Sequence, residues 1–173
     1  GRSLGEHTRE YELIKQPPDL IELNPETYWT AAMEVIRSIL EKSRISPANI
    51  AAIGVTSQAE SVTVLDAEGR PLRRTIVWLD NRSRDEASEI ARRFSLDEVY
   101  RVTGQQEIIP TWTATRILWL KTHEPEVYAR ARHYLLVEDY LIYRLTGKIV
   151  SDRALNPSTL YFDITTGEWW PKM

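Results

Sequence analysis

Apolar residues recur at helical spacing along residues 24–40. Tyr28, Ala31, Ala32, Val35, Ile36, Ile39 and Leu40 fall on one stripe, with Asn24 placed to cap and Pro25 suited to the first helical position. This spacing predicts a helix with one buried face. Ahead of it, residues 3–14 read as an extended segment that the Pro17–Pro18 pair breaks. Beyond Ser46–Pro47 the mostly apolar run from Ile50 to Thr56 reads as a buried strand. Ser61–Asp66 and Leu72–Trp78 then read as two strands around the loop Ala67-Glu68-Gly69-Arg70, with Gly69 placed to take positive φ. Ala87, Ile90, Ala91 and Phe94 set the inward face of a helix from about Arg82 to Phe94. Further helices fit Thr113–Lys121, Pro125–Arg132 and Val137–Leu145, the last closed by Gly147 as a left-handed cap, and a short strand, His133–Leu136, sits between two of them. Hairpin, helix, strand, hairpin and more helices, in that order, describe a mixed α/β layered domain and exclude an all-helical bundle or a sandwich.

Composition narrows this only slightly. With 173 residues and 42% hydrophobic content, the chain can build one domain with a core, or part of a larger one. A formal charge of −3, without a dense Lys/Arg patch, leaves no electrostatic footprint for nucleic acid. There is no cysteine, no apolar run near membrane-spanning length and no basic-then-apolar leader, so a cytoplasmic protein without a membrane partner is expected. The start at Gly1 and the stop in the aromatic cluster Trp169–Met173 suggest a fragment. A homodimer is left open.

Three acids share one expected position. Glu60 follows the strand Ile53–Ser57, Asp80 follows Thr75–Trp78, and Asp152 follows an expected short strand over Lys148–Ser151. Ligands of open α/β sheets bind beyond strand ends, where loops expose side chains that the sheet holds still, so the three carboxylates are expected to face one cavity. Taken singly, an Asp after a strand is usually a turn or cap residue. His7, His123 and His133 show no metal-ligand spacing, and no metal site is implied. Trp29 and Trp119 fall on helical faces suited to core packing; Trp78 and Trp112 adjoin polar loops and are candidates for a ligand wall. Neither GxGxxG nor GxxxxGK[ST] occurs, so the chain has no recognisable phosphate cradle of its own.

In order along the chain, Ile53-Gly-Val-Thr-Ser-Gln-Ala-Glu60, the hairpin Val64-Leu-Asp-Ala-Glu-Gly-Arg-Pro-Leu72, and Ile76-Val-Trp-Leu-Asp-Asn-Arg82 resemble the N-terminal domain of the FGGY carbohydrate kinases. The resemblance continues through Thr103-Gly104, residues 113–125 (TATRILWLKTHEP), residues 135–147 (LLVEDYLIYRLTG), and Ser151-Asp152 to Phe162-Asp163. It implies the ribonuclease H-like, actin-type α/β fold, a mixed sheet flanked by helices, incomplete at the N-terminus. Residues 1–173 would be most of the substrate-binding domain of a sugar kinase. The first strands, with their Asp-x-Gly-Thr phosphate turn, and the C-terminal nucleotide domain would lie outside the chain, and the piece alone would be inactive. The implied reaction is transfer of a phosphoryl group from ATP, with Mg2+, to a small sugar or polyol. A pentulose such as xylulose is favoured and a glycerol-like polyol stays open. By resemblance Asp152 is the catalytic base that takes the hydroxyl proton. Gln58, Ala59, Glu60, Trp78, Asp80, Arg82, Thr111 and Trp112 line the substrate pocket. Glycerol kinases share Glu60 but carry arginine in place of Ala59, whereas xylulose kinases carry Met-His at Ala59–Glu60 and share the Trp78-x-Asp80-x-Arg82 pattern. The rival readings are a non-catalytic sugar-binding domain and an actin-like ATPase domain.

Overall fold

The computed structural model describes all residues, Gly1–Met173, and its frame is a five-stranded sheet in the order β1-β2-β4-β3-β5. The strands are β1 (Ile14–Gln16), β2 (Leu20–Leu23), β3 (Val62–Leu65), β4 (Thr75–Ile76) and β5 (His133–Leu136). All the pairings are antiparallel, so the α/β mixture lies in the layering of helices on sheet and not in strand direction. The helices are α1 (Pro25–Ser43), α2 (Arg84–Arg93), α3 (Leu96–Thr103), α4 (Thr113–His123), α5 (Pro125–Arg130) and α6 (Val137–Thr146). A small second sheet pairs β6 (Phe162–Asp163) with β7 (Glu168–Trp169).

Alternation along β3 decides which helix covers which face. Val62 and Val64 point to one side and join Ile76, Leu136 and Leu120 of α4 in a core cluster. Leu65 points to the other and packs with Leu135 and Tyr140 of α6. Leu23, Val77 and Val137 gather around Tyr28 of α1, which fastens α1 beside α6. Between the two valines Thr63 is fully buried, and its hydroxyl shares a 2.7 Å hydrogen bond with that of Thr75 across the strands, so neither polar group is left unpaired.

Local signals explain most element ends. Asn24 caps α1 by accepting the Glu26 N–H at 3.0 Å, with Pro25 in the first turn, and Gly147 closes α6 in the left-handed region at φ 72°. Sequence reasoning overlooked α3, although Ser95 accepts the Glu98 N–H at 3.1 Å and the Ser-x-x-Glu spacing announces that cap. At the hairpin tip Gly69 has φ 75°, and a Cβ there would lie 1.9 Å from the Tyr143 hydroxyl.

Two expected strands do not form. Residues 51–58 make no backbone-to-backbone hydrogen bond, and Ile53 is 56% exposed instead of buried. Residues 148–151 likewise carry no ladder bonds, and Ile149 and Val150 are exposed. Both segments have strand-like sequence, but a strand exists only where a neighbour accepts its backbone donors, and no other segment of this chain pairs with either. Glu60 and Asp152 therefore stand on loops and not at strand ends. No helix is long and apolar enough to cross a membrane.

Candidate functional site

Glu60 sits in the tight turn that feeds β3, at φ 62°, a left-handed conformation rare for a residue with a side chain. The Ser61 N–H closes that turn on the Ala59 carbonyl at 2.8 Å. Burial pushes the Glu60 carboxyl above the ordinary carboxylate range, while the Ser158 hydroxyl and the Arg116 charge beside it pull the other way. Ser158 belongs to the short 3-10 turn Asn156–Thr159 that follows Asp152, so the structure brings that turn to Glu60.

The second loop, Val77–Arg82, meets the first through Ser61. This fully buried serine accepts the Trp78 N–H at 3.0 Å, while the Trp78 side chain stays exposed. Beneath both turns runs Arg116 of α4, wholly buried. It donates to the Glu60 carbonyl, and its Nη2 lies 3.1 Å from the Val77 carbonyl, 3.0 Å from that of Trp78 and 3.3 Å from that of Asp80. Burial lowers its pKa to about 10, against the opposing charges of Asp80 and Glu60, so at neutral pH the guanidinium remains charged. Neither Arg116 nor Ser158 is among the residues expected from the sequence. For Arg116 there was a signal: it lies three residues after Thr113 and four before Leu120, on the face of α4 that turns inward.

Asp80 and Arg82 are paired with each other. Asp80 has no solvent exposure, and both of its oxygens are occupied. Oδ1 accepts the Arg82 N–H at 3.0 Å and Nε–H at 2.8 Å, and Oδ2 accepts the Ile21 N–H at 2.5 Å and an Arg82 Nη2–H at 2.8 Å. A carboxylate offers about four lone-pair positions, so none remains for a substrate hydroxyl. The Arg82 side chain is 4% exposed, bonds Glu22 at 2.8 Å as well, and lies 4.8 Å above the Trp119 ring. This pair holds the loop.

The remaining expected residues divide. Gln58 donates from Nε2 to the Tyr28 hydroxyl at 2.8 Å, and Ala59 lies half-buried in the same turn. Trp112 is half-buried, packs against the cluster of Ile90, Val99, Ala114 and Leu160, and donates its Nε1–H to the Glu107 carbonyl at 2.8 Å. Thr111 is half-buried beside it.

Asp152 is exposed, and its one side-chain bond is local: Oδ1 accepts the Ala154 N–H at 2.9 Å. The charges it bears upon are Glu138 and Asp139, at the start of α6, whose carboxyls are raised first by burial and then by neighbouring acids, Asp152 among them. Of the three acids expected to face one cavity, Asp80 is sealed in and Asp152 bonds its own backbone, and no hydrogen bond joins either to Glu60. A cavity of about 470 Å³ runs beside β5 and is lined by Tyr134, Asp139, Ser151, Asn156 and Thr159 among others, but by neither Glu60 nor Trp78. No group of three Asp, Glu or His side chains is placed to hold a metal ion, and without a phosphate loop the residues present do not form a magnesium–nucleotide site of their own.

Residues 1–173 match the model of the FGGY family of carbohydrate kinases, N-terminal domain. The chain belongs to this family. It is 34% identical over 158 residues to a glycerol kinase of Thermococcus gammatolerans, covering 88% of this chain and 31% of that protein. It is 29% identical over 169 residues to a xylulose kinase of Escherichia coli, covering 98% of this chain and 34% of that protein. Among solved structures, the ligand-bound xylulose kinase of Lactobacillus acidophilus superposes with a TM-score of 0.86 at 29% identity, covering 95% of this chain and 33% of that one. The Plasmodium falciparum glycerol kinase with ADP gives 0.85 at 26% identity, covering 95% of this chain and 34% of that one. The chain thus spans about a third of the length of these relatives. Its fold is the actin-type ATPase fold of these neighbours, as the sequence resemblance implied.

Proposed function

We propose that this chain is most of the acceptor-binding domain of an ATP-dependent sugar or polyol kinase, and that its parent phosphorylates a small linear sugar, a pentulose such as xylulose ahead of glycerol. The observation that carries the reading is the family match across the whole chain. Glu60 supports it locally: a half-buried carboxyl in a strained turn, with the Ser158 hydroxyl beside it and the open Trp78 ring on the adjoining loop, offers acceptors and an apolar wall to a polyhydroxylated ligand. ATP with magnesium is the donor in the full-length parent, held by residues outside this chain, and these 173 residues alone are inactive.

In this reading Asp152 is the general base. Its Oδ2 has no partner within the chain and its loop is exposed, so the carboxylate is free to accept a proton from an incoming hydroxyl. Phosphoryl transfer asks little else of the acceptor side than positioning and removal of that proton. The test is a panel of sugars and polyols with ATP on the full-length protein, followed by Asp152→Asn with the best acceptor. Turnover is expected to fall by about 10² to 10⁴ with acceptor binding retained. Unchanged turnover would remove Asp152 from the chemistry and leave it the turn-closing role that its present local bond to Ala154 suits, whereas a wild-type protein without turnover on any acceptor would favour the non-catalytic reading.

A further inference from the structure

Arginine at a fully buried position needs a reason. A guanidinium deep in a core is costly to desolvate, and a packed apolar side chain of similar volume usually stabilises such a site at least as well. Arg116 has no solvent exposure, no carboxylate accepts a hydrogen bond from it, and its Nε–H has no partner. What it does hold is backbone: the carbonyl of Glu60, 56 residues away in sequence, and those of Val77, Trp78 and Asp80, 36 to 39 residues away. One rigid fork thus spans two turns that share no ladder hydrogen bond, and the turn it grips at Glu60 is in a conformation that its neighbours must enforce.

We propose that Arg116 is a positioning residue of the acceptor site, its guanidinium fixing the Glu60 turn against the Val77–Asp80 turn so that the Glu60 carboxyl and the Trp78 ring keep one separation. The proposal rests on the reading of these two loops as the sugar-binding side of a kinase. Planarity matters here: Nη1 serves one turn while Nη2 serves the other. A lysine ammonium is a compact point charge on a flexible stem and cannot keep two fixed donor directions at once. Arg116→Lys retains the charge and loses the fork.

The experiment uses the full-length protein with Arg116→Lys, Arg116→Met and a control, Leu65→Ala, whose buried side chain packs with Leu135 and Tyr140, away from both turns. Melting temperature, KM for acceptor and for ATP, and amide exchange in residues 58–61 and 77–80 are measured on each. Both arginine variants are expected to raise acceptor KM about tenfold or more, the loss of charge-assisted hydrogen bonds, with ATP KM within about twofold of the parent. Exchange quickens in both turns together. The control lowers the melting temperature without moving acceptor KM. Acceptor KM unchanged in Arg116→Lys, both KM values rising in step, loosening of one turn only, or an equal KM rise in the control would each overturn the proposal. If Arg116→Met does not fold, Arg116→Lys alone decides. A wild-type protein that phosphorylates no sugar or polyol would defeat the kinase reading instead, and the exchange in the two turns would still decide whether Arg116 ties them.

Discussion

Asp80→Ala should be among the most damaging single substitutions in this chain. Four hydrogen bonds end on its carboxylate, three from Arg82 and one from the Ile21 N–H of β2. Truncation strands a guanidinium that is 4% exposed, with Glu22 as its only remaining carboxylate partner. Breaking a buried ion pair from one side costs about 3 to 5 kcal/mol, and an orphaned buried amide about 1 to 3. The two overlap, so about 4 to 6 kcal/mol is expected, against about 5 to 15 for a whole native domain. Asp80→Asn keeps the volume and one acceptor oxygen and should fall between Asp80→Ala and wild type. The check is urea unfolding followed by circular dichroism, with the midpoint shifting and the slope unchanged. In Asp80→Ala/Arg82→Ala the stranded charge is gone, so the loss should be smaller than the sum of the single losses by about 1 to 3 kcal/mol. Asp80→Ala within about 1 kcal/mol of wild type, or additive singles, would refute the account of this pair and reopen Asp80 as a ligand contact.

Other consequences follow from burial and backbone conformation. Glu86 is 5% exposed, its Oε2 has no hydrogen-bond partner, and burial raises its carboxyl above the ordinary 4.5 despite the His123 ring at 3.5 Å; Asp85 and Glu89 push the same way. The folded chain therefore holds a proton that the unfolded chain has released, so this group's contribution to stability declines as pH rises from 4.5 through the raised value. Glu86→Gln should flatten that slope and stabilise at neutral pH by about 1 kcal/mol, read from melting curves across pH. Gly69→Ala meets both a positive φ and the Tyr143 side chain, and should cost about 1 to 3 kcal/mol by chemical denaturation.

Much of the fold was legible because its signals are local. The Asn24-Pro25 start, the Gly147 stop and the helical spacing in α1 and α2 depend on neighbours within a few residues, although only Tyr28 of the α1 stripe is buried and Ala91 of α2 is exposed, and the hairpin over β3 and β4 is announced by Gly69. The family could be read for the same reason, since short strings in a fixed order survive in one sequence. The site was less legible. Glu60 and Asp80 look alike on paper, each an acid after an apolar run, yet one is half-buried in a strained turn and the other is sealed against Arg82. Trp78 and Trp112 were equal candidates, and only Trp78 is open.

The chain's own letters determine its helices, its hairpin and its membership of the carbohydrate kinases, because periodicity, caps and turn residues act over single turns of backbone. Tertiary structure alone decides which polar groups are already spent. It places Arg116 under two loops, leaves residues 51–58 without a strand partner, and seals Asp80 against Arg82. Those outcomes turn on which distant segment reaches a donor or acceptor first, and that competition is settled only when the whole chain is packed.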